Sequence, residues 1–221
     1  MDTYREISIL VGVLYILGFV AGVVSVSPVV DNSDYLAKSA VNSNQVYMAA
    51  FFQFLMAIFY IGIAIVLFPI LKIYNEKLAI GFLSFRIIAV LFVLIGTVIL
   101  LLILKISHQY LKMSPSDTSY FQMIGSLLKT ARDFVNHVGM VILLCISGIM
   151  LYTILIQSGL IPVWISVWGI LGSSIAIIAS ILVMLKYIEI LTPTYLILNI
   201  PIVLQEIIFA VWLIFKGLKQ V

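Results

Sequence analysis

The chain has 221 residues, 64% of them hydrophobic and 10% charged, with a mean hydropathy of +1.26 and a formal net charge of +3. A soluble domain of this size leaves much of its surface wet and carries about 25% charged residues, so this composition excludes a soluble globular protein. No basic cluster or face points to nucleic acid, and the single Cys145, inside an apolar run, excludes an intrachain disulfide and a cysteine-built metal site.

A bilayer core of about 30 Å needs roughly 20 apolar residues in a helix, and six runs have that length. The first lies near 7–27, "ISILVGVLYILGFVAGVVSVS". The preceding "MDTYREI" lacks the basic region and small-residue cleavage motif of a signal peptide, so this run reads as a retained span. In the connection 28–46, Asp34 to Val41 predicts a short interfacial helix with Ser33 as its cap. The second span lies near 47–69 and ends at Pro69. A tight basic connection, "LKIYNEKLA", leads to the third span near 79–104. After it, Ser119-x-x-Gln122 has the capping-box pattern and predicts a helix from about 120 to Gln157. That helix is more than about 50 Å long, so its first turns stand in the headgroup region and the span proper lies near 134–156. The fifth and sixth spans lie near 163–185 and 196–215. β-barrel strands would be shorter and would alternate in polarity, so the fold class is an all-α integral membrane bundle of six transmembrane helices. No linker divides the chain, which reads as a single membrane domain over 1–221.

Six spans put both termini on one side. That side holds Arg5, Lys72, Lys77, Lys216 and Lys219; the other holds Lys38, Lys105, Lys112 and Lys186, plus Lys129 and Arg132 if they lie outside the core. The short basic connection and the C-terminal "KGLKQ" lean towards N-in and C-in.

The segments "VGVLYILGFVAGVVS", "FPILKIYNEKLAIGFLSFRI", "GLIPVWISVWGILG" and "PIVLQEIIFAVWLIFKG" carry a resemblance, in order and over nearly the whole chain. Together they resemble a family of small bacterial membrane proteins catalogued as a domain of unknown function (family 4386). The resemblance implies a multi-pass protein of the bacterial inner membrane with no established activity. Members often carry an acidic residue one turn after the arginine matching Arg86, where this chain has Ala89.

Ionisable groups inside a span are costly and face the bundle interior or water. Arg86 in span three and Glu206 in span six lie roughly 12 and 13 Å from the same membrane edge at helical rise. The matching depth predicts an interhelical Arg86–Glu206 pair, with Tyr60 at a similar level as a donor to Glu206. Pro201 is expected to bend span six just before Gln205 and Glu206 and to free carbonyls there. Trp168 is placed beside Arg86, where a cation–π contact can form. One reading of this layer is a buried lock on helix packing; the other is a binding or coupling site, since an unpaired buried charge is easily switched by a ligand or proton.

Near the other edge, Lys129, Asp133 and His137 repeat at i, i+4 and share a face, with Arg132 and Asn136 beside them. They read as an outer polar collar with snorkelling cations, or as an Asp133–His137 proton-handling pair joined by Gln53. His108 falls on the loop side. Two histidines do not make a zinc site, and Asp117 or Asp133 would complete one only through the fold, so no metal and no cofactor is expected. Trp164, Trp212, Tyr187 and Tyr195 suit an aromatic belt, and Gly12, Gly18, Gly22, Gly169 and Gly172 suit close helix contacts.

Three functions follow, in decreasing order of support. The first is a binding or accessory protein for a lipid or hydrophobic small molecule, which expects an apolar cavity or lateral groove with a polar anchor; membrane lipids are then its natural partners. The second is a proton- or ion-coupled carrier, which needs a continuous polar path from Asp133 to Glu206, and the chain shows no inverted repeat. The third is an intramembrane lipid-modifying enzyme, which needs several ionisable groups converging on one wet pocket; Ser84 near Arg86 is too weak a signal for a nucleophile.

Overall fold

In the absence of water a chain must satisfy its backbone within each segment, and long Leu/Ile/Val/Phe runs do so as helices. The structure, a computed structural model, describes residues 3–113 and 118–219, and these residues contain no strand. The elements are α1 (Thr3–Val24), α2 (Pro28–Asp31), α3 (Tyr35–Val41), α4 (Ser43–Tyr74), α5 (Glu76–Tyr110), α6 (Thr118–Phe134), a π-helical segment (Val135–Met140), α7 (Val141–Ser158), α8 (Val163–Met184) and α9 (Pro193–Phe215). Six helical stretches among them are long and apolar enough to cross a membrane, with α6, the π segment and α7 counting as one.

The spans close a ring. α1 packs on α4, α4 on α5, α5 on α7, α7 on α8, α8 on α9, and α9 returns to α1. Small residues let the backbones approach. A Cβ added at Gly12 would meet the Ala210 carbonyl oxygen at 2.7 Å, and one at Gly172 would meet the Ile202 backbone at 3.1 Å. The main core lies towards the termini and includes Val11, Ile63, Leu67, Phe82, Leu151, Phe209 and Leu213. The first and last spans are latched there. Arg5 donates to the Leu213 and Ile214 carbonyls at 3.3 and 2.6 Å, and Ser8 Oγ accepts from the Leu218 N–H at 2.9 Å. We call this the terminal end, and the end carrying α2 and α3 the distal end.

Several boundaries differ from expectation. α4 runs through Pro69 to Tyr74, because Ile70 and Leu71 beyond the proline are buried in the core and hold the helix together. α3 forms, but Asp34 rather than Ser33 stands at its N-cap and makes no side-chain cap bond. α6 begins at Thr118, so Ser119 lies within its first turn rather than capping it. The long fourth helix is also broken by the six-residue π segment, which hydropathy alone does not reveal.

Candidate functional site

The distal polar layer is assembled from residues far apart in sequence. α2, started by Pro28, presents Asp31 to α6. Arg132 Nη2 lies 2.5 Å from Asp31 Oδ1 and 3.4 Å from Asp133 Oδ1. Lys129 Nζ donates to the Asp31 carbonyl at 3.2 Å and sits 5.2 Å from the centre of the Tyr35 ring. Partial burial holds the Tyr35 phenol above its usual pKa, so the ring under Lys129 is neutral. The collar is therefore not a solvated face. Arg132 is 7% exposed and tied to α2.

The expected Asp133–His137 pair is not formed. His137 Nδ1 lies 3.1 Å from the Tyr195 hydroxyl, with the two rings edge to face, while Asp133 Oδ1 is buried without a hydrogen bond. Other partners are nearer: the Tyr195 hydroxyl of α9 takes the imidazole, and the Arg132 guanidinium stands beside the Asp133 carboxylate, at the place where the π turn begins at Val135. A π turn displaces a carbonyl from the i→i+4 ladder, and the Ser180 hydroxyl of α8 donates to the His137 carbonyl at 2.9 Å. Glycines on both sides seat the segment. Asn136 lies against Gly96 of α5, and Phe92 of α5 lies against Gly139, each where a Cβ would collide.

These groups open onto a cavity of about 260 Å³. Asp31, Gln53, Arg132, Asn136 and His137 supply its polar wall, and Met56, Val93 and Met140 its apolar floor. Gln53 does not reach Asp133; its amide oxygen lies 2.8 Å from the Thr97 hydroxyl. Val26 and Leu191, 57% and 50% exposed, flank the mouth. Leu191 has a left-handed backbone with φ 60°, a conformation that costs a bulky residue of order 1–3 kcal/mol and clusters at binding sites. Two residues that line it each hold a buried polar atom with no hydrogen-bond partner, Ser27 Oγ and Arg132 Nε. A second cavity of about 650 Å³ adjoins the first through Asp31 and Leu191 and is lined by Lys129, Asp133, Lys186 and Glu189.

The mid-membrane layer differs from the expected lock. Among the described residues no ion pair joins Arg86 to Glu206. Arg86 Nε donates to Ser147 Oγ at 3.2 Å, Ser147 donates on to the Phe82 carbonyl, and the guanidinium lies 5.4 and 5.9 Å from the Phe82 and Tyr60 ring centres. Trp168 instead packs beside Trp164, at 6.4 Å between ring centres. Glu206 is half-buried and faces a cavity of about 10 Å³, the volume of one water, together with Tyr15 and Tyr60. Tyr60 makes no hydrogen bond to it. Gln205, one position earlier, is fully buried and bridges three helices: it accepts from the Tyr152 hydroxyl at 2.7 Å and donates to the Ile165 carbonyl at 3.1 Å. Pro201 leaves the Ile197 carbonyl without its helical donor, about 13 Å from Glu206 at helical rise rather than beside it. Ser84 is exposed while Arg86 is buried, and His108 is exposed and 3.1 Å from Ser43 Oγ. Asp117 lies outside the described residues.

With Arg86 and Glu206 apart, a double-mutant cycle of Arg86→Met and Glu206→Gln should give a coupling energy below about 1 kcal/mol, at the low end of the roughly 0.5–3 kcal/mol of residues in direct contact. A coupling above about 2 kcal/mol in thermal unfolding would restore the direct pair.

Residues 10–217, nearly the whole chain, match the family described as Domain of unknown function (DUF4386). The chain belongs to this family. No curated protein and no solved structure matches it. What this DUF4386 member has in hand is thus read from its own geometry. Between the two polar layers lies an apolar cluster. Ala21, Met56, Ala57, Val90 and Val93 form an apolar plug whose Met56 and Val93 floor the distal cavity and whose edge touches Tyr60.

Two participants escape sequence reasoning. Asp31 lies in a connection between spans, 101 positions from Arg132, and no local pattern links them. Ser27 is one serine in a polar loop. The usable hint was Arg132 itself, a cation too close to the core to be without a carboxylate.

Proposed function

We propose that this membrane protein binds a lipid or another hydrophobic small molecule in the distal cavity. One observation carries the reading: a partly open cavity lined by Met56, Val93, Leu100 and Met140 also carries a few polar groups, among them Arg132, Asp31 and His137. That is the usual make-up of a small-molecule site, in which a few polar groups fix the orientation of an apolar body. The apolar plug speaks against a proton- or ion-coupled carrier, because a charge crossing that plug would be stripped of water and of partners.

Asp31, Arg132 and His137 do converge on one cavity, and this favours the lipid-modifying enzyme as the second reading. Asp31 is held by Arg132, however, and His137 by Tyr195, so neither is aimed at a nucleophile. Binding therefore comes first.

Native mass spectrometry of protein purified in mild detergent tests it. A small molecule is expected to travel with the wild type and to be lost from Gly22→Leu, whose side chain fills the cavity beside Met56. Equal retention in both proteins, or no molecule in either, would overturn the reading.

A further inference from the structure

We infer that the ligand of the distal cavity is an uncharged molecule presenting a hydrogen-bond-accepting oxygen, an ester or ketone carbonyl, to Ser27 and Arg132. The inference rests on the binding reading above and specifies its chemistry.

The hydrogen-bonding polarity of the wall decides it. Arg132 spends Nη2 on Asp31 and Asp133, while its Nε–H has no acceptor. A guanidinium only donates, so the complement of that group is an acceptor. Ser27 stands at the N-cap of α2 but makes no cap bond, and its hydroxyl, 5% exposed, is free to donate. Two neighbouring acceptor or donor atoms are already engaged: the Gln53 amide oxygen accepts from the Thr97 hydroxyl, and the Ser25 hydroxyl donates to the Gly22 carbonyl at 2.7 Å.

Charge narrows the class further. The positive charge of Arg132 is answered by Asp31, with Asp133 beside it. A carboxylate ligand would have to compete with Asp31 and then lie next to it. An amine would face Arg132. Either leaves a poorly compensated charge beside the buried Arg132 guanidinium, which is penalised far more than a neutral oxygen is. Size sets the last limit. A volume of about 260 Å³ falls below the roughly 300–1,000 Å³ of drug-sized sites. The cavity thus takes either a short molecule or the carbonyl-bearing end of a longer one entering past Val26 and Leu191.

The test compares ligands of matched chain in purified, detergent-solubilised full-length protein, reading affinity from ligand-induced shifts in thermal unfolding. 2-Undecanone and methyl decanoate carry the carbonyl on a free molecule, and dioctanoylglycerol carries it on a lipid. Undecane, decylamine and decanoate are the controls. The carbonyl compounds should bind about tenfold more tightly than all three controls; preference between the free compounds and the glyceride identifies the source. Ser27→Ala loses no bond within the protein, so its unliganded melting temperature should be unchanged while carbonyl binding weakens several-fold and undecane binding stays. Arg132→Lys keeps a charge facing Asp31 but deletes Nε–H; carbonyl binding should weaken several-fold relative to undecane, with a lower unliganded melting temperature as the Asp31 contact changes. Equal binding of carbonyl compounds and undecane, or no change in Ser27→Ala, overturns the inference while leaving the cavity a binding site. Failure of every probe, together with no co-purifying molecule, overturns the binding reading itself.

Discussion

Gln205→Leu is expected to lower stability by about 3 kcal/mol, and adding Tyr152→Phe should recover about 1 kcal/mol of it. Gln205 is fully buried, and its amide ties α7 to α8 and α9 through the Tyr152 hydroxyl and the Ile165 carbonyl. Leucine fits the volume but leaves both partners unpaired. An orphaned polar group costs more than its bond contributes, because no water replaces the lost partner inside the bilayer. Interhelical hydrogen bonds in membranes contribute only about 0.6 kcal/mol on average, so most of the expected loss is the penalty on the groups left behind. Removing the tyrosine hydroxyl as well takes away one of those groups, which is why the double variant should be the more stable. Reversible unfolding in mixed micelles measures both. A single-variant cost below about 0.5 kcal/mol, or a double variant less stable than the single, would show that the bridge is not made.

The second large effect concerns the π segment. Gly96→Leu should cost about 3 kcal/mol and abolish the distal cavity's ligand retention together. Overpacking a tight contact costs typically 1–3 kcal/mol, and here the intruding side chain meets the amide end of Asn136, whose backbone lies in the middle of the π turn. The segment has two ways to respond. It can move away from α5 and carry Asn136 and His137 off the cavity wall, or it can rewind as α-helix, which rotates His137 away from Tyr195. Both remove the wall. Gly96→Ala should show the same direction at smaller size. Wild-type ligand retention in a stably folded Gly96→Leu protein would show that the π segment does not form the site.

The spans were legible because a bilayer imposes one requirement, an apolar helix of sufficient length, and composition reports it directly. Depth along a helix can be counted in the same way; Arg86 lies 5.9 Å from the centre of the Tyr60 ring, and Tyr60 and Glu206 line one small cavity. What depth does not report is direction around the helix axis. Gln205 and Glu206 are adjacent and so point about 100° apart. The amide points into the bundle and the carboxylate towards α1 and α4, and no hydropathy pattern in so uniformly apolar a helix distinguishes them. The same limit hid the distal site. The i, i+4 spacing brings Asp133 and His137 to one face, but spacing along one helix says nothing of Tyr195 on α9, which takes the imidazole. Asp31 was invisible because contacts between a connection and a span depend on how the chain folds back, which local spacing does not encode.

The closed ring has one more consequence, for the order of assembly. As the chain is made, each new span finds its neighbour already in place, since consecutive spans are adjacent. The exception is the junction of α1 and α9. Until the last span arrives, α1 presents Gly12 and the Arg5 side chain to lipid with nothing against them, and the tyrosine-lined face around Glu206 stays open. The final helix thus does the work of a keystone: it seals the mid-membrane carboxylate and engages the latch at the terminal end in one step. The protein's least local contacts, spanning more than 200 residues, are the ones formed last.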